Sequence, residues 1–338
     1  MPMNRALAFA IVSSALLYPH ITLAETIKLR VADVYPVGHT VPNSTIKVFM
    51  DEVKSQLGDQ VQFEYYPAEQ LGKGKDLLAL TQSGVVDIGL VVPSYISDKM
   101  PLSAVSELPG GYKSSCDGTV ALHHMATEDV LRKNEFEPNN IRVLITHSFA
   151  PFQAFSAKPY QSLKSFEGQK LRTLGLVTDM TIKQLGAVPI RISAPEISEA
   201  MSRGTIDGGL MGIATVVSYD LTRYLKSATY GDSFGGTIVT YAISENNWKK
   251  LSPNVQAAMI AAGEKATRNG CKFADDAVES EYAKLKQAGV SVVSFSPEDR
   301  KTFESRTSAI GKEWAESLDK RGKAGTPTLS EFQELLKK

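Results

Sequence analysis

Arg172 is the residue whose chemical type and position are hardest to explain by folding alone. It lies in the segment FEGQKLRTLG, residues 166–175, between Leu171 and Leu174, where a strand would bury its neighbours. A guanidinium keeps its charge, so burial is costly unless an anion or a set of acceptors meets it. Two interpretations follow: an internal ion pair with Glu167 or Asp179, or an anionic ligand.

Other motifs that could carry chemistry are weak. The segment LGKGKD (71–76) lacks the spacing of a phosphate loop, and no GxGxxG follows the first predicted strand. Asp87 and Asp207 each follow a G-x-[VI]-D pattern that is typical of turns. There is no GxSxG, no HExxH and no histidine or cysteine spacing of a zinc site. The motifs therefore point away from catalysis and predict no cofactor and no metal.

The composition excludes partners that bind through charge. The 338 residues include 37 Lys plus Arg and 37 Asp plus Glu, and 43% are hydrophobic. A net charge of zero gives no overall field that would attract nucleic acid or an anionic membrane. The length and composition are those of a globular protein with two lobes or one large domain.

Residues 1–24 have the character of a secretory signal peptide. Asn4 and Arg5 precede a 13-residue apolar run, and cleavage is expected near Ala24. We expect an exported chain that is not embedded in a membrane, since no later stretch reaches the ~20 apolar residues of a spanning helix. Export permits a disulfide between Cys116 and Cys271, the only two cysteines. Two buried thiols are the alternative, and the bridge is slightly favoured.

Hydrophobic periodicity predicts alternating strands and helices. Strands are expected at TIKLRVADV, VQFEYY and VVDIGLVV, with helices over 44–57 and 74–84 between them. A second set begins near residue 148 and includes the strand that holds Arg172. The segment GGTIVTYAIS could return to the first sheet, and a long helix over 253–287 could bridge both lobes. Helices at 297–320 and 328–337 close the chain. The predicted fold is therefore α/β, in two lobes with a hinged cleft.

Three blocks of the chain resemble the solute receptors of TRAP (tripartite ATP-independent periplasmic) transporters. They are residues 66–91, 166–208 and 246–262, in the family's order. The middle block is the most specific, with G-x-K-[LI]-R, then L-G-A-x-P, then G-x-[IV]-D-G. The resemblance implies a two-lobe periplasmic binding protein with a long helix spanning both lobes. It would bind a small organic acid and deliver it to the transporter's membrane subunits.

The order of predicted elements gives lobe boundaries, and the resemblance implies a role for Arg172. We expect lobe I at 25–148 plus 236–275, and lobe II at 149–235 plus 276–338. Arg172 matches the arginine that grips the ligand carboxylate in this family. A guanidinium offers a carboxylate two parallel N–H donors in charge-assisted bonds.

Several polar positions of dicarboxylate and sialic-acid receptors are apolar or aromatic in this sequence. A second arginine is replaced at Phe152 or Gln153, and an asparagine by Met211. Polar ligand groups would lie unpaired against these side chains, at roughly 1–3 kcal/mol each. We therefore predict a monocarboxylate with an apolar or aromatic body. The full set of predicted binding residues is Arg172, Gln153, Phe152, Phe149, Met211, Tyr35, His39, Val92 and Phe234.

Alternatives remain for both the ligand and the function. The aromatic side chains are equally consistent with core packing, and His39 with an exposed loop. The ligand could instead be a C4-dicarboxylate or a sugar acid. The same cleft could serve a secreted enzyme, or a sensor module that presents its ligand to a receptor kinase.

Overall fold

Residues 26–337 are described in the computed structural model, and they form two separate β-sheets with helices around them. The predicted signal peptide therefore lies outside the described residues. The strands are β1 (Ile27–Ala32), β2 (Val61–Tyr66), β3 (Ile88–Val91), β4 (Ile141–Ser148), β5 (Gln153–Ser156), β6 (Lys170–Thr173), β7 (Val188–Arg191), β8 (Gly208–Met211), β9 (Ser227–Thr229), β10 (Ile238–Ser244) and β11 (Ser291–Val293). The helices are α1 (Thr40–Ser44), α2 (Ile46–Leu57), α3 (Leu77–Gln82), α4 (Ser115–Thr127), α5 (Leu176–Gln184), α6 (Ile197–Ser202), α7 (Ile213–Ser218), α8 (Glu245–Trp248), α9 (Pro253–Gln287), α10 (Pro297–Thr307), α11 (Ile310–Asp319) and α12 (Gly325–Leu335).

The first sheet has the strand order β2-β1-β3-β10-β4. β1 is parallel to β2 and β3, whereas β10 is antiparallel to both of its neighbours. Every residue of β3 and β10 is buried. The continuous apolar sequence of β3 predicts this for a strand covered on both faces. β10 follows β5 to β9 of the second sheet in sequence, so the chain does return to the first sheet.

The second sheet has the order β11-β9-β5-β8-β6-β7 and positions Arg172. β6 is parallel to both β7 and β8, and Arg172 is in register with Ile190 and Gly209. The carboxyl ends of these strands meet at one edge, which is where α/β sheets present side chains to a ligand. The predicted α/β fold with two lobes and a hinged cleft is confirmed.

Two extended segments, 149–152 and 234–237, join the lobes side by side. Phe152 N donates to Gly235 O (2.8 Å), and Phe234 N donates to Phe152 O (3.0 Å). A third connection is α9, which begins beside the first sheet and ends just before β11 of the second. The chain crosses a fourth time between α10 and α11, and several crossings of this kind favour a hinge motion between the lobes.

α9 is 35 residues long, as its apolar spacing, interrupted only at Gly263 and Gly270, predicts. Ser252 caps its first turn by accepting from Val255 N, and Pro253 occupies the first helical position. A disulfide joins Cys271, midway along α9, to Cys116 at the start of α4. The bridge that the sequence slightly favoured is therefore present in the structure. Within residues 26–337, no helix has both the length and the apolar character to cross a bilayer.

The C-terminal helices correct the predicted lobe boundary. Trp314 and Leu318 of α11 and Phe332 of α12 belong to a core cluster with residues of α4 and β10. These helices therefore pack on lobe I, although 276–338 was expected in lobe II. α10 does pack in lobe II. The ring centroids of Phe303 in α10 and Phe234 are 4.9 Å apart. The predicted single helix over 297–320 is interrupted between α10 and α11, which allows the chain to change lobes.

Two helical glycines give a matched test of this packing. A Cβ added at Gly263 of α9 would lie 2.1 Å from Leu144 O in β4, whereas one at Gly311 of α11 would have its nearest neighbour at 3.5 Å. We expect Gly263→Ala to lower the free energy of unfolding by about 1–3 kcal/mol, since the helix must shift off the sheet. Gly311→Ala should be neutral or stabilising by up to about 1 kcal/mol, because alanine favours helix. Urea unfolding of both variants measures this, and equal effects would contradict the close helix–sheet contact.

Candidate ligand-binding site

Arg172 is buried, with 2% of its surface exposed. Nε donates to Ile192 O (2.9 Å) and Nη1 donates to Leu210 O (3.2 Å). Both acceptors belong to lobe II, one after β7 and one in β8, so the two flanking strands hold the guanidinium in place. The recorded bonds use two of its five N–H groups, which leaves donors at the Nη1 and Nη2 end.

Neither predicted internal carboxylate pairs with Arg172. Asp179 is taken by Arg191, whose Nη2 lies 2.7 Å from Oδ2, and also accepts from Thr173 Oγ1. No ion pair recorded for residues 26–337 includes Arg172 or Glu167. Burial lowers the pKa of Arg172 below its ordinary value, and the nearby Tyr95, Tyr35 and Tyr219 act against this shift. The buried carboxyl of Glu107 also acts against this shift. The charge is thus desolvated, and no carboxylate of residues 26–337 forms an ion pair with it.

Three tyrosines from both lobes surround this charge. Tyr35 follows β1, Tyr95 lies in the 3-10 turn Pro93–Ile96 after β3, and Tyr219 ends α7 of lobe II. Burial raises the pKa of each hydroxyl, and the charge of Arg172 lowers it. Arg172 therefore lies where the two lobes meet, facing the strand ends of lobe I.

The lobes also contact each other directly near Arg172. Ala194 N of lobe II donates to Tyr95 Oη of lobe I (2.8 Å). Glu107, at the end of the 3-10 segment Leu102–Glu107 in lobe I, accepts from both N and Oγ1 of Thr178 at the start of α5 (3.1 Å each). A carboxylate at a helix N-terminus is favourable. These bonds close the cleft over the guanidinium.

His39 and Tyr35 form one wall of the closed cleft. Their rings are stacked with centroids 4.1 Å apart, and Phe149 meets Tyr35 edge-on at 6.4 Å. The structure buries His39 to 1% exposure, so it is not the exposed loop residue that the alternative supposed. Burial lowers its pKa to about 3, and the imidazole is neutral at physiological pH.

A buried carboxylate fixes the position of Tyr35. Asp33 accepts from Tyr35 N (2.8 Å), from Tyr241 Oη (2.6 Å) and from Tyr65 Oη (3.0 Å). Burial raises the pKa of Asp33 to about 6, and the three donors act against this shift. The loop after β1 is thereby anchored in the sheet, which holds the Tyr35 ring in the cleft.

Apolar predicted residues lie close to Arg172 and Phe149. Gly209 lies between the side chains of Arg172 and Met211. A Cβ added at Gly209 would lie 2.6 Å from Cβ of Arg172 and 3.0 Å from the methyl carbon of Met211. Phe152 lies 6.3 Å from Phe149 between ring centroids, in the crossing segment. Val92 directly follows β3 and is buried in the cluster that includes both phenylalanines. A cavity of about 10 Å³, the room of one water, adjoins Phe149.

Two predicted residues lie elsewhere. The amide of Gln153 is used within the protein, donating to Asp232 O and accepting from Thr229 Oγ1 (3.0 Å). Gln153 instead lines a cavity of about 750 Å³ on the hinge face. Phe234 packs among Phe166, Phe295 and Phe303 in the lobe II core. Sequence alternation could not separate these core positions from cleft positions, because both are buried.

Sequence reasoning missed Tyr95, Tyr219 and His147. Ligands of α/β sheets bind at the carboxyl ends of the strands. Tyr95, like His39, follows such an end, so this rule could have identified it from the sequence. His147 lies in the buried carboxyl-terminal half of β4, and its ring centroid is 5.3 Å from that of Phe149. Burial lowers its pKa to about 4. No local signal marks Tyr219 at the end of a short helix.

Comparisons with known proteins agree with this architecture. Residues 31–317 match the family model DctP, described as bacterial extracellular solute-binding protein, family 7. The solute-binding protein RD1_1052 of Roseobacter denitrificans is 25% identical over 224 residues, which are 63% of this chain and 65% of that protein. The chain thus spans about two thirds of that relative's length.

Solved structures share the fold at low sequence identity. A TRAP solute-binding protein of Rhodoferax ferrireducens with copurified benzoate has a TM-score of 0.84 at 21% identity. A marine metagenome protein specific for aromatic acid ligands, with bound metahydroxyphenylacetate, has a TM-score of 0.86 at 21% identity. Both alignments cover 92% of this chain and 98% of the other. DctP7 of Bordetella pertussis, which binds pyroglutamic acid, has a TM-score of 0.81 at 20% identity, with 93% and 100% covered.

The family match covers residues 31–317, and the solved TRAP receptor structures share the two-lobe fold over 92% of the chain. The resemblance to TRAP solute receptors is confirmed: the chain belongs to the DctP family of bacterial extracellular solute-binding proteins.

Proposed function

We propose that this protein is a periplasmic receptor that captures an organic monocarboxylate through Arg172 and delivers it to the membrane subunits of a TRAP transporter. The observation that carries the proposal is a buried guanidinium, at the meeting of two lobes, with no carboxylate partner among residues 26–337. A ligand carboxylate supplies the missing anion.

The free end of Arg172 suits a carboxylate. Nε and Nη1 are held by two backbone carbonyl groups, so the remaining N–H groups point away from β7 and β8 in a fixed direction. A fixed planar donor pair binds a carboxylate bidentately without ordering a flexible side chain. Because the lobes enclose this pair, binding favours the closed state over the open one.

The body of the ligand is expected to be apolar or aromatic. Tyr35, Phe149, Met211 and Val92 lie around the guanidinium or beside one another in the buried core next to it. Aromatic rings there offer stacking and edge contacts to a ligand ring. Phe152 or its neighbour Gln153 stands where dicarboxylate and sialic-acid receptors have a second arginine, so a second carboxylate would lack a cation. Two fold relatives that hold aromatic acids support this class.

We also infer that the protein binds its ligand without transforming it. The groups around Arg172 are phenol hydroxyls with raised pKa values and neutral imidazoles with lowered ones. A nucleophile beside a general base is the arrangement that a catalytic alternative needs, and the hydrogen bonds of the described cleft residues include none. Recovery of each acid unchanged after prolonged incubation tests this point.

A ligand panel tests the proposed class. The mature chain is freed of copurified ligand by reversible unfolding and then mixed with benzoate, phenylacetate, a branched-chain acid, malate, succinate or galacturonate. Ligands that bind only the native state stabilise it by about 2.7 kcal/mol at 100 times Kd. We expect melting temperature to rise by several degrees with the aryl and branched monocarboxylates, and Kd to follow by calorimetry. A clear preference for malate, succinate or galacturonate would refute the aromatic class while leaving solute capture intact.

A further inference from the structure

His39 has a fixed pattern of hydrogen-bonding groups. It caps α1, where its Nδ1 accepts from Val41 N at 3.1 Å. A nitrogen that accepts must carry its lone pair rather than a proton. Burial keeps the imidazole neutral, with a pKa of about 3. The single ring proton of a neutral imidazole must therefore sit on Nε2.

The Nε2–H of His39 is a buried donor that the protein leaves unused. Nε2 is buried and has no hydrogen-bond partner among residues 26–337. A buried donor without an acceptor costs roughly 1–3 kcal/mol, and such groups are rare unless a ligand satisfies them. The cap at Val41 accounts for one nitrogen of His39 and leaves the other without a structural role.

A second unused polar atom belongs to a ring that packs against His39. The hydroxyl of Tyr219 is also buried without a partner, and its ring meets the His39 ring edge-on with centroids 5.8 Å apart. His39 belongs to lobe I and Tyr219 to lobe II, so closure brings the two together. The hydroxyl of Tyr219 also interacts with the charge of Arg172, so Tyr219 lies on the side of the cleft where the ligand carboxylate is assigned.

We propose that His39 and Tyr219 form a polar subsite for a hydroxyl group on the ligand, so that this receptor selects hydroxylated aryl monocarboxylates over the parent acids. A hydroxyl group accepts one bond and donates another. His39 Nε2–H can only donate, and Tyr219 Oη can accept, so the pair matches both needs of one hydroxyl. The inference rests on the proposed function, because the ligand's carboxylate is assigned to Arg172 on the facing lobe.

Two substitutions at His39 separate the cap from the subsite. His39→Asn places an acceptor at the Nδ1 position, so it keeps the bond to Val41 N and removes the Nε2 donor. His39→Gln keeps an N–H donor near the Nε2 position and loses the short cap. Tyr219→Phe removes the second polar atom and keeps the ring. Thermal unfolding without ligand shows which variants fold, and we expect His39→Asn to fold with a lower melting temperature than the wild type, since it removes a buried ring stacked on Tyr35.

The readout is the ratio of dissociation constants within matched pairs: benzoate against 3-hydroxybenzoate, and phenylacetate against mandelate. We expect the wild type to prefer one hydroxylated member by about 10- to 100-fold, the equivalent of one to two satisfied buried groups. His39→Asn and Tyr219→Phe should bring that ratio close to one. Because both side chains also line the cleft, the ratio within each pair is the measure, and not the affinity for the parent acid alone. His39→Gln should keep most of the preference.

Three outcomes would overturn the subsite. A wild type that binds parent and hydroxylated acids equally has no such preference. An unchanged ratio in His39→Asn and Tyr219→Phe assigns the preference to other groups. If His39→Asn weakens the binding of the parent acid and of the hydroxylated acid equally, the Nε2–H group of His39 donates to the ligand carboxylate and not to its hydroxyl group. In each of these cases Arg172 still binds acids and the proposed function stands, whereas a wild type that binds no acid refutes both.

Discussion

Arg172→Ala is expected to abolish binding of carboxylate ligands while leaving the protein folded. Removing one partner of a buried, hydrogen-bonded charge pair costs about 2–5 kcal/mol, or roughly 30- to several thousand-fold in Kd. The unliganded protein loses only the bonds to Ile192 O and Leu210 O and is freed of a desolvated charge. We expect its melting temperature to remain the same or to rise. Calorimetry beside thermal unfolding measures both quantities.

Two further variants sharpen this test. Arg172→Lys keeps a positive charge but cannot present two parallel donors, so intermediate affinity is expected. Arg191→Ala serves as the matched control, because Arg191 belongs to the neighbouring strand β7 and pairs with Asp179 at the surface. That variant should bind acids like the wild type. Undiminished affinity in Arg172→Ala would refute the assignment of the ligand carboxylate.

Loss of the disulfide should give the largest change in stability. The bridge joins residues 155 positions apart, and removing a bridge that closes a long loop costs about 2–5 kcal/mol. We expect Cys116→Ala with Cys271→Ala to lower the melting temperature by about 5–15 °C. The affinity for a bound acid should change less than about threefold. Asp275 of α9 still accepts from the backbone N–H groups of Ser115 and Cys116, which keeps the two helices together.

A reductant provides the internal control for that experiment. Dithiothreitol should lower the melting temperature of the wild type towards that of the double variant and leave the double variant unaffected. Equal melting temperatures of the two proteins in oxidising buffer would show that the bridge contributes nothing to the native state in solution.

Much of the architecture is determined by local sequence. Strands such as IKLRVA and VQFEYY, and the 35-residue run that becomes α9, have periodicities that only one kind of element satisfies. Their alternation determines an α/β protein. The motif around Arg172 is also local, since a charge that cannot be lost, placed in a buried strand, needs a partner wherever the strand lies in the fold.

Long-range packing decided what local patterns could not. Trp314 and Phe332 are apolar residues on amphipathic helices, and either lobe would bury them equally well. Phe149 and Phe234 are both buried aromatic residues near strand ends, yet one adjoins the cleft and the other lies in the core of lobe II. Burial gives the same sequence signature in both places, so only the strand order and the closure of the lobes distinguish them.

The sequence by itself determined the element types, the two-lobe α/β fold and the buried cation that a binding site needs. Only the tertiary structure decided which groups face that cation. Tyr95, Tyr219 and His39 come from distant parts of the chain, and the state of His39 depends on its cap to Val41 N and on its burial. Hydrogen-bond partners and desolvation are properties of the assembled structure, because they depend on atoms that the folding of the whole chain brings together.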